Sequence, residues 1–227
     1  MASQYGKGEK RAKTAVESRD LVRERAALAH LKRADPILYT ASLPHRGLVA
    51  SRVQPKRTRD QLFRSLVSSI TSQQLSGKAA ATIFARLETA VGGTLTPVAV
   101  QATHSVKLRA AGLSEAKVRA LTELSESILS GELNLLALKK QTPEEAVHTL
   151  TSHRGIGPWT AEMFLIFAVG SPDVFSAGDL ILARMTEELH GLPKGSHRKE
   201  LERIAARWSP HRSYVSLLLW KLHHAKK

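Results

Sequence analysis

The sequence predicts an all-α protein, arranged as one large domain or as two small helical lobes that share a cleft. Apolar residues recur at helical spacing from Arg59 onward, and we find no convincing run of the alternating pattern that marks a strand. Cap residues, prolines and glycines divide the pattern into segments of helical length. A chain of 227 residues can bury a substantial core in either arrangement.

The N-terminal part of the chain divides into a tail, a helix and a connector. Residues 1–17 are polar, basic and without periodicity, which predicts a disordered tail. Residues 19–34 have a helical pattern that Pro36 ends. Residues 44–56 are predicted to be an irregular connector, because prolines interrupt them.

The remaining helices are predicted from their apolar faces and end signals. Thr142 and Glu145 form a capping-box pattern around Pro143. The first two apolar faces comprise Leu62, Phe63, Leu66, Val67 and Ile70, and then Ala79, Ala80, Ile83, Phe84 and Leu87. Further start signals lie at Thr96 and Ser114, and stop signals lie at Gly112, Gly131 and Gly191.

The charge balance indicates a polyanionic partner. The chain has 34 Lys and Arg residues against 20 Asp and Glu residues, a formal net charge of +14 and an isoelectric point near 10.4. Residues 1–33 hold nine basic and four acidic residues, so the folded part carries most of the excess. This balance favours a nucleic acid, although a soluble surface can also be basic without one.

Composition also excludes several classes of protein. The chain has no cysteine, which excludes disulfides and a thiolate-bound iron–sulfur cluster. The sequence has no apolar run of about 18 residues and no apolar N-terminal signal region, so we expect neither a membrane span nor secretion. We therefore expect the protein where DNA is: in the cytoplasm or nucleoid, or in the nucleus of a eukaryote.

A tight glycine hairpin precedes an apolar helix. Gly155 and Gly157 flank Ile156, and Pro158 supplies the fixed φ of a first helical turn. Unpaired N–H groups and the helix dipole at such an end suit a phosphate oxygen. Residues 159–169 are almost wholly apolar after Glu162, which predicts a helix buried on most of its circumference.

An acidic residue follows at the start of the next helix. The loop 170–178 ends at Asp179, which precedes the apolar pattern of residues 180–185. The simplest interpretation is a helix cap. The functional interpretation is an ionised carboxylate, held by the helix dipole and nearby N–H groups, that stabilises a cation.

The combination of these features is specific. The sequence GIGPWTA at residues 155–161, the apolar helix, and Asp179 placed 22 positions after Gly157 closely resemble the helix-hairpin-helix DNA glycosylases of base-excision repair. Within that superfamily the chain is similar to the alkylpurine group, the 3-methyladenine DNA glycosylase II proteins. The resemblance covers about residues 35–224 and implies two α-helical subdomains over residues 18–227, with a DNA-binding cleft and the hairpin motif at about residues 143–170.

The resemblance implies a reaction and a set of contacts. The enzyme would flip 3-methyladenine, 7-methylguanine or a related adduct out of duplex DNA and hydrolyse its N-glycosidic bond, leaving an abasic site, with Asp179 as the catalytic residue. Gly155, Ile156 and Gly157 would grip a DNA phosphate. The base pocket would be lined by Trp159, Trp220, Met163 and Leu180, whose aromatic members hold a cationic purine by stacking and cation–π attraction.

The segment SITSQQLSGKAA at residues 69–80 lies between two amphipathic helices. From its pattern alone it is a polar connector with a buried leucine. In the resembled family a turn of this type fills the gap that the flipped base leaves in the stack. Gln74 and Leu75 would then be the plug and the wedge, and Ser76 would face the minor groove.

The resemblance also bears on cofactors and on a second activity. No cofactor would be required, although backbone carbonyls of Thr151, His153 and Ile156 would bind a monovalent cation at the hairpin. Lyase members of the superfamily have a Schiff-base lysine directly after the hairpin, where this chain has Trp159, so strand cleavage is not expected. Ser176, Ala177 and Gly178 depart from the family's proline-containing approach to the acid and predict a looser loop.

Two other functions remain open from the sequence. One is a protein of the same fold that binds damaged or abasic DNA without turnover, and the other is a helix-hairpin-helix module that binds DNA nonspecifically. The expected partner is duplex DNA with alkylated bases, bound by a monomer that has no membrane association.

Overall fold

The computed structural model describes residues 21–45 and 57–225. All regular secondary structure in this part of the chain is α-helical, 3-10 or π-helical, which confirms the all-α prediction. The predicted tail at residues 1–17 and most of the predicted connector lie outside the described residues. None of the described helices is long and apolar enough to cross a membrane. The described residues divide into two compact units, one formed by residues 21–45 with 172–225 and the other by residues 57–171.

The α-helices are numbered in chain order. They are α1 (21–34), α2 (Pro36–Ser42), α3 (Arg59–Ser72), α4 (Gly77–Ala90), α5 (Pro97–Ala102), α6 (Ser105–Ala110), α7 (Glu115–Ser130), α8 (Pro143–Thr151), α9 (Pro158–Phe164), α10 (Leu180–His190), α11 (Arg198–Ala205) and α12 (Arg212–Ala225). Three-residue or four-residue 3-10 segments occupy Leu43–His45, Ala137–Lys140 and Ala206–Trp208.

Helix α3 supplies the central buried face of the 57–171 unit. Its predicted apolar residues are all fully buried, and the helix packs against α4, α7 and α9. Thr58 begins α3 with a capping box, and Thr142 begins α8 with the capping box that the sequence predicts. The stop signal at Gly131 is confirmed, because this glycine ends α7 in the left-handed conformation.

The predicted apolar helix forms with one change of geometry. Helix α9 covers Pro158–Phe164 and continues as a π-helical turn at Leu165–Val169, which ends at Gly170 with φ of 74°. Its apolar side chains are almost all buried, and so is Glu162. The sequence pattern thus predicted the burial and length of this segment but not the widening of its second half.

A buried charged cluster organises the other unit. Asp35 caps α2 by accepting a hydrogen bond from the Leu38 N–H at 3.0 Å, so Pro36 begins a new helix rather than only ending α1. The second carboxylate oxygen of Asp35 accepts hydrogen bonds from Trp208 Nε1 at 2.7 Å and from His190 Nε2 at 2.8 Å. One carboxylate therefore connects α2, the last turn of α10 and the 3-10 segment that holds Trp208.

Candidate active site and nucleic-acid interface

The two hairpin glycines have different structural roles. Gly155 has φ of 81°, and a Cβ added there would lie 2.9 Å from the Cβ of Ala120, so both conformation and packing require glycine. Gly157 has φ of −85° and would meet nothing within 4 Å. The fold does not require a glycine at Gly157, which leaves room for close approach of another molecule. Ile156 between them is buried and fixes the turn to the core.

An open depression of about 920 Å³ surrounds this hairpin within the 57–171 unit. Gly157 begins α9 without a side chain to cap it, which leaves the first turn of the helix available to an external acceptor. Trp159 is 50% exposed at this position. The lining residues come from the turn after α3, from α7, from the end of α8, from the hairpin and from α9, and they include Gln73, Gln74, Glu123, Arg154, Gly157 and Trp159.

The turn between α3 and α4, residues 73–76, is called the QQLS turn below. Leu75 is 39% exposed, so the interpretation as a connector with a buried leucine is wrong. Gln74 is also exposed and has φ of 58°, a left-handed conformation that non-glycine residues rarely adopt. The Ser76 hydroxyl accepts from the Ala79 N–H at 3.4 Å and caps α4, a structural role that the sequence analysis did not assign.

Two residues that the sequence analysis did not select hold this turn. Gln73 Nε2 donates to the Gly155 carbonyl at 2.8 Å and lies 3.3 Å from Thr160 Oγ1. Lys117 Nζ donates to the carbonyls of Thr71 and Gln73 at 2.8 and 2.9 Å. The partners of Lys117 are more than forty residues away in the sequence, so no local pattern could have identified this contact.

Asp179 lies in the other unit as the N-cap of α10. Its Oδ1 oxygen accepts from the N–H groups of Ile181 and Leu182, each at 3.0 Å, and from Trp220 Nε1 at 3.2 Å. Only 9% of the residue is exposed. The helix-cap interpretation is confirmed, and the same contacts orient the carboxylate that the functional interpretation requires. The cap alone leaves the catalytic role untested.

The loop before Asp179 is firmly held, so the predicted loose support is wrong. Residues 174–177 are all buried. The Val174 N–H donates to Ser213 Oγ at 2.9 Å. Asp173 receives Arg212 Nε and Nη2 at 2.9 and 3.0 Å, which joins the start of the loop to the start of α12. Burial and these hydrogen bonds replace the rigidity that a proline would give.

The four predicted pocket residues divide between the two units. Trp159 and Met163 lie one turn apart on α9, where Trp159 is half exposed and Met163 is buried. Trp220 donates to Asp179, so these two residues are brought together. Leu180 is 75% exposed at the start of α10. The pocket formed by all four remains a prediction.

The predicted cation ligands lie around the same hairpin. Thr151, His153 and Ile156 line the depression, and the His153 carbonyl accepts from the Ile156 N–H at 3.2 Å. Carbonyl oxygens are the donors that hard cations prefer. Within residues 21–45 and 57–225, no group of three or more His, Cys, Asp or Glu side chains could hold a metal ion. The cation site formed by backbone carbonyls remains a prediction.

Comparisons with known proteins identify the family. Residues 67–211 match the HhH-GPD superfamily base excision DNA repair proteins. The chain is 33% identical over 165 residues to DNA-3-methyladenine glycosylase 1 of Schizosaccharomyces pombe, covering 70% of this chain and 71% of that protein. It therefore belongs to the HhH-GPD superfamily of base-excision DNA repair proteins.

Solved structures agree with this assignment. The crystal structure of a DNA-3-methyladenine glycosidase from Bacillus halodurans has a TM-score of 0.69 and 35% identity, covering 82% of this chain and 88% of that one. The 3-methyladenine DNA glycosylase Mag1 of Schizosaccharomyces pombe, in complex with abasic DNA, has a TM-score of 0.67 and 28% identity, covering 86% and 95%.

Proposed function

We propose that this chain is a DNA glycosylase that removes alkylated bases, with 3-methyladenine and 7-methylguanine as the expected substrates. The observation that carries the proposal is the buried Asp179 carboxylate, whose Oδ1 is fixed by two backbone N–H groups and Trp220. The names of its relatives in Schizosaccharomyces pombe and Bacillus halodurans support the same substrate class.

The chemistry follows from the leaving group. A purine alkylated at N3 or N7 is already cationic, so it departs with little help from a general acid, and the sugar becomes an oxocarbenium-like cation. Asp179 stabilises this cation electrostatically and orients or deprotonates the attacking water. Because hydrogen bonds hold Asp179 before substrate arrives, little reorganisation is needed in the transition state.

The remaining roles belong to the DNA contacts. The hairpin around Gly157 binds a phosphate, with a monovalent cation held by carbonyls of Thr151, His153 and Ile156. The QQLS turn fills the gap in the base stack, and Trp220, which contacts Asp179, stacks on the flipped base. The protein acts as a monomer on duplex DNA, in the nucleoid or nucleus.

The enzyme is monofunctional in this proposal. A lyase needs an amine that attacks the sugar to form a Schiff base, and the residue directly after Pro158 is Trp159. Incubation with an abasic duplex should give no strand nicking before alkali is added. A covalent complex trapped by borohydride would contradict this part of the proposal.

The experiment that tests the glycosylase is direct. Methylated duplex DNA is incubated with wild-type protein and with Asp179→Asn, and released free bases are quantified by chromatography. Wild type should release alkylated purines, and the variant should be slower by on the order of 10² to 10³. Tight binding of abasic duplex with base release equal to that of the variant would instead identify a binding protein without turnover.

A further inference from the structure

Lys117 holds the end of the helix that precedes the QQLS turn. Its Nζ donates to the carbonyls of Thr71 and Gln73 at the C-terminus of α3. Carbonyls at this end of a helix lack intrahelical partners, and a cation there is favoured by the helix dipole. Partial burial lowers the pKa of Lys117, consistent with an ammonium group that faces the protein as well as solvent.

Gln73 connects the same turn to the hairpin. Its carbonyl accepts from Lys117, while its side-chain Nε2 donates to the Gly155 carbonyl at 2.8 Å and also approaches Thr160 Oγ1. One residue is thereby fixed at its backbone by α7 and at its side chain by the hairpin and α9. The turn and the hairpin cannot shift independently without breaking these bonds.

The next residue is held in an unusual conformation. Among the described non-glycine residues, Gln74 alone has a positive φ, at 58°. Such conformations persist where surrounding structure enforces them. Gln74 and Leu75 are nevertheless exposed, and their turn is closed by the Leu75 N–H, which donates to the Ser72 carbonyl at 3.2 Å across the anchored Gln73.

We propose that Lys117 and Gln73 are positioning residues that hold Gln74 and Leu75 ready for insertion into the base stack and couple insertion to the hairpin's grip on the backbone. The proposal rests on the proposed function, because a turn needs this preorganisation when it fills the space of a flipped base. A turn ordered in advance pays less entropy on binding, which strengthens the complex with DNA that already lacks a base.

The test measures binding, so it does not depend on turnover. Affinity is measured by fluorescence anisotropy for a duplex with a tetrahydrofuran abasic analogue and for the same duplex undamaged, over a series of NaCl concentrations. In Lys117→Met the preference for the abasic duplex should fall about tenfold, because two charge-assisted hydrogen bonds to the turn are lost and part of their contribution is expressed in binding. Gln73→Met should act in the same direction, and Lys117→Arg should restore part of the preference.

The salt dependence separates positioning from direct DNA contact. Lys117 bonds to backbone carbonyls, so its replacement should leave the slope of log affinity against log salt unchanged. A slope reduced by about one would assign Lys117 to a phosphate and overturn the proposal. The matched control is Lys107→Met, an exposed lysine on α6, which should keep the wild-type preference for the abasic duplex.

A general loss of folding gives a different result from a loss of positioning. Misfolding lowers the active fraction of protein equally for both duplexes, so the ratio of the two affinities stays unchanged. If Lys117→Met does not fold, the affinity ratio of Gln73→Met alone decides the test. Unchanged preference for the abasic duplex in the folded variants overturns the proposal, and so does a wild-type protein without that preference.

Base release by the wild-type protein is measured in parallel. If release occurs while the variants keep their preference for the abasic duplex, the positioning proposal alone fails. If wild type releases no base, the glycosylase proposal fails and the binding ratio still decides positioning.

Discussion

The hairpin and the Asp179 site have opposite physical characters. At the hairpin, backbone lies at an open surface: a Cβ at Gly157 would meet nothing within 4 Å, and neighbouring Trp159 is half exposed. Asp179 is buried, and a helix end and Trp220 fix its Oδ1 oxygen. The first region presents backbone atoms to solvent, whereas the second presents a carboxylate that hydrogen bonds within the protein already orient.

The difference indicates what each region can do. Phosphates are the same along every DNA strand, so a group that grips them needs access and N–H donors rather than side-chain selectivity. A carboxylate that stabilises a short-lived cation must be oriented in advance, because reorientation during the reaction would cost free energy. Four sets of variants test this division, in order of decreasing effect.

The largest effect is expected at Asp179, where two substitutions separate charge from cap. Asp179→Asn should retain most of the cap and thermal stability, while the single-turnover excision rate falls by on the order of 10² to 10³. Asp179→Ala should lose a similar rate and in addition about 1 kcal/mol of unfolding free energy. Equal stability losses in both variants would mean that the charge, rather than the cap, holds the start of α10.

The buried pair of Asp35 and His190 should contribute to the stability of the unit that contains Asp179. The hydrogen bond to Asp35 raises the pKa of His190 against the opposing effect of burial. Burial alone would raise the pKa of Asp35, but hydrogen bonds from His190, Trp208 and the Leu38 N–H hold it below its usual value. Asp35→Ala should cost about 3 to 5 kcal/mol in chemical denaturation, because it removes the cap of α2 and leaves Trp208 Nε1 and His190 Nε2 buried without their acceptor.

The two shifts also predict a pH window for that stability. Because the pKa of His190 is raised in the folded protein, its contribution to folding stability is fully present below the unfolded pKa of about 6.5 and is lost as pH rises through the folded pKa. Because the pKa of Asp35 is lowered, its contribution is present above the unfolded pKa of about 3.9 and is lost as pH falls through the folded pKa. Unfolding free energies of wild type minus His190→Gln should therefore decline above about pH 6.5; a flat difference would contradict the ion pair.

Alanine substitution at the two hairpin glycines should affect different properties: stability at Gly155 and DNA affinity at Gly157. Gly155→Ala should lose about 1 to 3 kcal/mol of unfolding free energy, because it combines a left-handed backbone with a 2.9 Å contact to Ala120 Cβ. Gly157→Ala should melt like wild type but bind duplex DNA more weakly, since its new methyl group would lie in the open space where we propose that a phosphate binds. Unchanged affinity in Gly157→Ala would remove the hairpin from the DNA interface.

The smallest effect is expected from the surface pair beside the hairpin. Arg154 Nε lies 3.0 Å from Glu123 Oε2, and the two side chains are 57% and 50% exposed, respectively. Glu123→Gln should change the unfolding free energy by less than about 0.5 kcal/mol, because solvent screens such pairs. The same variant should bind duplex DNA slightly more tightly, since it removes negative charge from the depression. Weaker binding would mean that Glu123 is needed to orient Arg154.

The sequence predicted most of what depends on neighbouring residues. The capping box at Thr142, the left-handed end at Gly131 and the cap at Asp179 each involve groups within a few positions of one another. The support of the 174–177 loop was predicted wrongly, because its anchor Ser213 lies 39 residues away. The hold of Lys117 on Gln73, 44 residues apart, gave no signal at all.

The sequence by itself determined the helices, the basic character of the chain and the 22-residue spacing from Gly157 to Asp179. These follow from local hydrogen bonding, backbone freedom and composition, which each stretch of chain contains in full. Only the tertiary structure decided that Trp220 contacts Asp179 across 41 positions and that His190 contacts Asp35 across 155. Such pairs depend on how apolar faces pack, and periodicity specifies that a face is buried without specifying its partner.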